Sequence, residues 1–285
     1  MTWFWLALTT AGLEAVKDAF SKHSVKHFDE ALVAWSWSAF SLPFLLVFLV
    51  FQDWPTLQTA YWWSLGISGV LNLIAYLWYI KALKYGDLSN TVPLLAISPL
   101  FLLVTSPLIL GEYPSLLGLG GVLLIVAGSY ILNFQKKNQG FLAPFLAMFQ
   151  ETGPRYMLGV ALLWGITANL DKTGIQASSP LAWIIGLNSA LSVGFLPLVL
   201  PKLKTLKHGK TLRALLPIGL MNALSLLSQM TALQMALVPY VISIKRTSTL
   251  MSAVLGFVVF KEKGFKERLL GALVMLAGMA CMIWS

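Results

Sequence analysis

Residues 69–83 read GVLNLIAYLWYIKAL, and residues 219–233 read GLMNALSLLSQMTAL. The two stretches stand 150 positions apart. In that register Gly69 meets Gly219, Asn72 meets Asn222, and Ala82-Leu83 meets Ala232-Leu233. Carried outward, the same register joins Ser98 to Ser248, Glu112 to Glu262, Gly121 to Gly271 and Ala127-Gly128 to Ala277-Gly278. Nearer the N-terminus the match continues at a slightly different offset, with Gly12 against Gly165 and Asp18 against Asp171. Apolar segments coincide easily, but matched Asn, Glu and Gly do not, so the chain reads as a duplicated unit.

The unit is built for a bilayer. Of 285 residues, 58% are hydrophobic and 11% charged, against about a quarter charged in soluble domains. A membrane-crossing helix needs about 20 apolar residues. Ten segments qualify: Trp3–Phe20, Ala31–Phe51, Tyr61–Ile80, Thr91–Leu110, Leu116–Phe134, Tyr156–Gln176, Pro180–Leu200, Leu212–Ala236, Val238–Phe260 and Leu269–Trp284. The expected fold is an all-α integral membrane protein with two five-helix repeats, 1–134 and 156–285, joined by a linker at 135–155. Trp3–Phe20 lacks the basic start and small-residue cleavage site of a signal peptide, so it reads as the first span.

Five spans per repeat is an odd number, so the two copies enter the membrane in opposite directions. Inverted repeats of this kind build secondary transporters, with a site near the midplane. Charge agrees with the span count. Of the 20 Lys and Arg residues, all but Lys17, Lys172, Lys245 and Arg246 fall in connections on one side. The positive-inside rule puts that side in the cytoplasm: loops 22–30, 81–90, 135–155, 201–213 and 261–268 inside, both termini outside. The net charge of +9 therefore orients the chain and forms no basic face for nucleic acid. The expected partners are the lipid bilayer and a small-molecule substrate, with the chain as a monomer or homodimer. The single cysteine, Cys281, rules out an internal disulfide and a cysteine metal cluster.

Leu163-Trp164-Gly165 opens the sixth span. Ala82-Leu83 is followed by Pro93, Pro99 and Gly111-Glu112, and Ala232-Leu233 by Phe260-Lys261-Glu262; both copies end in Gly-rich spans. In this order the motifs resemble the drug/metabolite transporter superfamily in its ten-span EamA-type form, across the whole chain. The resemblance implies a site between spans 1–4 and 6–9, with spans 5 and 10 packed outside. Its substrates include amino acids, sugars, nucleotide sugars and drugs. Many such relatives are described with cytoplasmic termini, the reverse of the charge bias here. Glu14 followed by Ser21-Lys22 also resembles the first span of four-span multidrug relatives, although Lys17 and Asp18 depart from that motif.

Lys245 and Arg246 are the most informative residues. Each costs about 2.5–3.5 kcal/mol near a membrane centre, and Lys245 lies about 10 Å along its span at 1.5 Å per residue. Arg holds a carboxylate or phosphate bidentately, and Lys adds a point charge. Plastid phosphate-sugar translocators are similar in carrying a Lys-Arg pair on a corresponding helix. The competing reading is a structural ion pair in which Asp171-Lys172 neutralises Arg246. Glu14, Lys17, Asp18 and Ser21 form one helix stripe; with Asp171 and Lys172 they are either a proton or counter-ion relay or an internally paired face. Asn72, Tyr76 and Tyr79 on span 3, and Asn222, Ser225 and Gln229 on span 8, either line a cavity or hold helices together by hydrogen bonds. Tyr240, Ser243 and Thr247 share a face near Arg246, and Trp164 is a weaker candidate.

Enzyme readings find little footing. Gly66-Ile67-Ser68-Gly69 resembles an intramembrane serine protease motif, but His23, His27 and His208 all lie in loops. No P-loop or HExxH occurs, and neither cofactor nor metal is expected. The expected function is secondary transport of a small polar metabolite, leaning to phosphorylated or carboxylate anions. The alternative is a proton-coupled exporter of amino acids or of cationic or amphipathic drugs.

Overall fold

A computed structural model describes residues 1–51, 53–86, 92–133, 151–202, 209–251 and 265–285. The linker residues 135–150, Glu262 and the second half of the 238–260 run lie outside the described residues. The described residues are helical throughout, without strands. The helices are α1 (Thr2–Ser24), α2 (Glu30–Ala39), α3 (Leu42–Val47), α4 (Thr59–Tyr85), α5 (Ser98–Leu110), α6 (Leu116–Asn133), α7 (Thr152–Gln176), α8 (Pro180–Gly194), α9 (Leu196–Val199), α10 (Gly209–Met235), α11 (Val238–Lys245) and α12 (Phe265–Ile283). Short 3-10 turns at Phe48–Phe51 and Val92–Ile97 extend α3 and precede α5.

By length and composition, three segments are long and apolar enough to cross a membrane: Glu30–Phe51, Thr59–Tyr85 and Thr211–Met235. A fourth, Pro180–Gly194 with Leu196–Lys202, qualifies as a pair bent by 46°. Helices α1 and α7 have 23 and 25 residues, about 35 Å at 1.5 Å each. They carry the buried Glu14, Lys17 and Asp18, and the buried Asp171 and Lys172.

Several expected continuous spans are broken, each for a local reason. Helix α2 stops at Ala39, and Ser41 Oγ donates to Trp37 O (2.5 Å) and Gly219 O (2.9 Å). Pro43 then occupies the first turn of α3, where its missing N–H costs nothing. The α8–α9 break follows the same logic at Pro197. Helix α5 begins with Pro99 in its first turn and ends at Gly111, whose φ of 67° is left-handed and favours glycine. The run from Val238 does not continue as one helix: α11 ends at Lys245, and Arg246 and Thr247 form a turn.

Caps fix the helix starts. Ser179 Oγ accepts from Ala182 N (3.2 Å) ahead of Pro180. Asp29 Oδ1 accepts from Ala31 N (2.9 Å) and pairs with Lys202 Nζ (2.6 Å). Burial raises the Asp29 carboxyl, but the hydrogen bonds from Lys202 and Ala31 outweigh it and hold it below the ordinary value. Its contribution to stability is therefore present above the unfolded carboxyl range and lost as pH falls through the depressed value. Ser179→Ala is expected to cost about 1 kcal/mol, read as a lower unfolding midpoint in detergent. No change would mean that Pro180 alone sets the start of α8.

Helices pair across the two halves of the chain. The most extensive contacts join α6 to α12, α4 to α7 and α1 to α10, with α2 against α8 and α5 against α11. Glycines allow the closest of these approaches. A Cβ on Gly121 would stand 2.7 Å from Gly278 O, and a Cβ on Gly278 would stand 2.7 Å from Gly121 O.

Candidate functional site

The α1–α10 pair brings two polar stripes together. Glu14 and Lys17 sit one turn apart on α1, and Asn222, Ser225 and Gln229 follow at i, i+3 and i+7 on α10, which keeps them on one face. Glu14 Oε1 accepts from Lys17 Nζ (2.9 Å) and Ser225 Oγ (2.7 Å). Lys17 also donates to Asn222 Oδ1 (3.3 Å) and stands 4.0 Å over the Trp37 ring. Asn222 Nδ2 donates to Trp37 O (2.8 Å), which ties α10 to α2.

Helix α11 adds the two cations. Lys245 Nζ donates to Gln229 Oε1 (2.7 Å) and stands 3.5 Å from Glu14 Oε1. Arg246 Nε donates to Ser98 Oγ (2.8 Å), and its guanidinium lies 5.5 Å over the Trp164 ring. Arg246 has no carboxylate partner among the described residues, yet it is only 4% exposed. The turn that ends α11 explains part of this. Arg246 is the C-cap of α11, and its N–H reaches Ile242 O and Ser243 O. A cation at a helix C-terminus gains about 0.3–1 kcal/mol, up to about 2 when partly buried. That does not cover the cost of a buried guanidinium without a carboxylate partner. The turn itself follows from hydroxyls that hydrogen-bond backbone carbonyls: Ser243 to Pro239 O (2.6 Å), Thr247 to Ile244 O (2.7 Å) and Thr249 to Arg246 O (3.0 Å). Such bonds compete with helix continuation.

These groups surround a cavity of about 50 Å³, room for a few water molecules at about 10–15 Å³ each. Of the residues named from sequence, Glu14, Asn72, Tyr76, Asp171, Asn222, Gln229, Lys245 and Arg246 line it, together with Lys17 and Trp164. An aromatic wall closes one side. Trp37 meets Tyr76 and Tyr79 edge-on, both at 5.0 Å, and Tyr79 lies 5.3 Å from Trp164.

Other named residues stand elsewhere. Tyr79 belongs to that wall without lining the cavity, and Asp18, also buried, stays out of the lining as well. Tyr240 sits in the first turn of α11, at the end away from Lys245, where its OH accepts from Ser115 N (3.1 Å). Ser243 and Thr247 spend their hydroxyls on the backbone. The expected Asp171–Arg246 ion pair is absent among the described residues: Asp171 Oδ1 instead accepts from Ser68 Oγ (3.2 Å) and Trp183 Nε1 (3.1 Å), which draw it toward α4 and α8. Lys172, about 100° around the helix from Asp171, leaves the cavity altogether. It pairs with Glu112 and donates to Ala236 O (2.7 Å).

Sequence reasoning missed Trp37, Thr167, Ala168, Leu187, Leu226, Met230 and Ile242, which also line the cavity. Trp37 carried a signal, because it sits mid-segment and not at a span end. The apolar members carried none. Among the described residues, no group of three or more His, Cys, Asp or Glu is placed to hold a metal.

Residues 1–134 and 152–284 match the family described as the EamA-like transporter family. The chain is also 35% identical, over 71 residues, to a Sinorhizobium sp protein described as "Uncharacterized transporter in cobO 3'region". That match covers 25% of this chain and 50% of the relative, so the chain spans about half the length of the curated relative it matches. A solved structure titled "Crystal structure of protein" aligns with a TM-score of 0.73 over 98% of this chain and 94% of its own, at 13% identity. That is a likeness of fold.

Proposed function

The chain belongs to the EamA-like transporter family, and from that premise we propose that it is a secondary transporter whose substrate is a small organic anion. The carboxylate or phosphate of the substrate docks on Arg246 beside Lys245. One observation carries this reading: Arg246 lines the cavity, is buried, and has no carboxylate partner among the described residues. A buried charge without a partner is costly, and intramembrane charges are retained for function by default. The alternative, an exporter of cations, fares worse, because Glu14 is engaged by two ammonium groups.

The chain works by alternating access between two inverted five-span repeats, with ten spans in all and both termini outside. Helix pairing supports the repeat, since the α1–α10 and α7–α4 pairs exchange under it. Two lysines support it as well. Lys22 of α1 donates to Gly86 O just past α4 (2.7 Å) and Lys172 of α7 to Ala236 O just past α10 (2.7 Å), helices that exchange under the repeat. The cavity is too small for a metabolite, so substrate entry requires its walls to separate.

A thermal-shift panel on purified protein tests the reading, with sugar phosphates, nucleotide sugars, amino acids and organic cations as ligands. An anion at about 100 times its dissociation constant is expected to add about 2.7 kcal/mol to wild type and nothing to Arg246→Ala. Stabilisation by cations alone, unchanged in Arg246→Ala, would sink it.

A further inference from the structure

Three cations line the cavity: Lys17, Lys245 and Arg246. Among the described residues, the carboxylate in ion-pair contact with any of them is Glu14 alone. Its Oε1 gathers groups from three helices: Lys17 of α1 at 2.9 Å, Ser225 of α10 at 2.7 Å and Lys245 of α11 at 3.5 Å. The three contacts are unequal. Lys17 and Ser225 make hydrogen bonds, whereas Lys245 stands farther off and keeps its own hydrogen bond to Gln229 (2.7 Å). Lys245 can therefore exchange Glu14 for another anion without losing Gln229. Glu14 in turn keeps Lys17 and Ser225.

We infer that Glu14 is the internal counter-ion of the empty carrier, which an incoming substrate anion replaces at Lys245. The inference rests on the anion reading above. In the loaded state the substrate bridges Lys245 and Arg246, and Glu14 stays with Lys17. In the empty state Glu14 returns to Lys245, so that ammonium is not left unpaired while the site closes. Arg246 is already enclosed without a carboxylate, and leaving Lys245 unpaired beside it adds a second such cost, so a carrier without an internal anion would wait for a substrate on each side. With Glu14 present, the empty carrier returns unaided and the protein carries out net flux as well as exchange.

The full-length chain in liposomes tests this, with radiolabelled lactate, glycerol 3-phosphate and inorganic phosphate loaded in parallel. Efflux is followed into medium with or without the same unlabelled anion. Wild type is expected to release at least one probe into anion-free medium. In Glu14→Gln that net efflux falls at least about tenfold, which a barrier raised by about 1.4 kcal/mol produces, and exchange falls by a smaller factor. Glu14→Asp, which keeps the charge, restores net efflux. A purely structural role for Glu14 would lower both modes in step, and that result overturns the inference. So does a wild type that releases probe only against external anion, which needs no variant to fold. If no probe moves through wild type in either mode, the anion reading fails and the inference falls with it. Exchange without net efflux leaves the anion reading standing and removes only the role of Glu14.

Discussion

Lys172→Met is expected to destabilise the protein by about 3–5 kcal/mol, the usual cost of leaving one partner of a buried ion pair alone. The pair is well enclosed, with side-chain exposures of 9% for Lys172 and 11% for Glu112. Glu112 also accepts from the Val238 N–H (2.8 Å) at the start of α11, and Lys172 donates a further bond to Ala236 O (2.7 Å) just past α10. One ion pair thus fastens the end of α5, the C-terminal part of α7 and the α10–α11 junction. Methionine keeps most of the volume of lysine, so the loss is electrostatic. The double variant Lys172→Met/Glu112→Met removes both charges and is expected to be milder than the two single costs added together. Reversible unfolding in mixed micelles measures all three. If the single costs simply add, the two side chains are not coupled and the clamp is not what holds this junction.

Adjacent glycines on α6 are expected to respond to alanine with opposite signs. A Cβ at Gly120 meets nothing within 4 Å, so Gly120→Ala gains helix propensity, up to about 1 kcal/mol. A Cβ at Gly121 stands 2.7 Å from Gly278 O and 2.8 Å from Met282 Cγ. The carbonyl belongs to the backbone of α12 and cannot turn aside as a side chain can. Gly121→Ala is therefore expected to cost about 1–3 kcal/mol, the range for overpacking, with Gly278→Ala similar because it meets the same contact from the other helix. Combining the two should cost less than their sum, since the first already pushes the helices apart. If both positions on α6 shift stability in the same direction, propensity governs here and helix contact does not.

Helix positions were largely legible because apolar length alone marks them. Tyr61–Ile80 lies within α4 and Leu116–Phe134 nearly coincides with α6, although the count of ten spans goes beyond what these helices establish. Polar residues repeated in both halves were legible too: Asn72 and Asn222 reach the same cavity. The break after Lys245 was not visible, since a run such as Val238–Phe260 scores as one apolar segment. Hydroxyl bonding by Ser243, Thr247 and Thr249 to the backbone accompanies a two-residue interruption, after which helix resumes at Ser248. Asp171 illustrates a second limit. Sequence supplies its charge and depth, but Ser68 and Trp183, distant in the chain, decide which way it faces. The Lys172–Glu112 pair was hidden for the same reason, because its partners are 60 positions apart.

The glycine contact between α6 and α12 has a practical side. No described side chain of either helix lines the cavity, while Leu123, Leu273 and Leu276 on their outer surfaces are exposed. Under the proposed alternating access, two helices packed backbone to backbone are the natural reference pair. Distances from a spin label at Leu123 or Leu276 to labels on α1, α10 and α11 would report movement of the cavity helices against it.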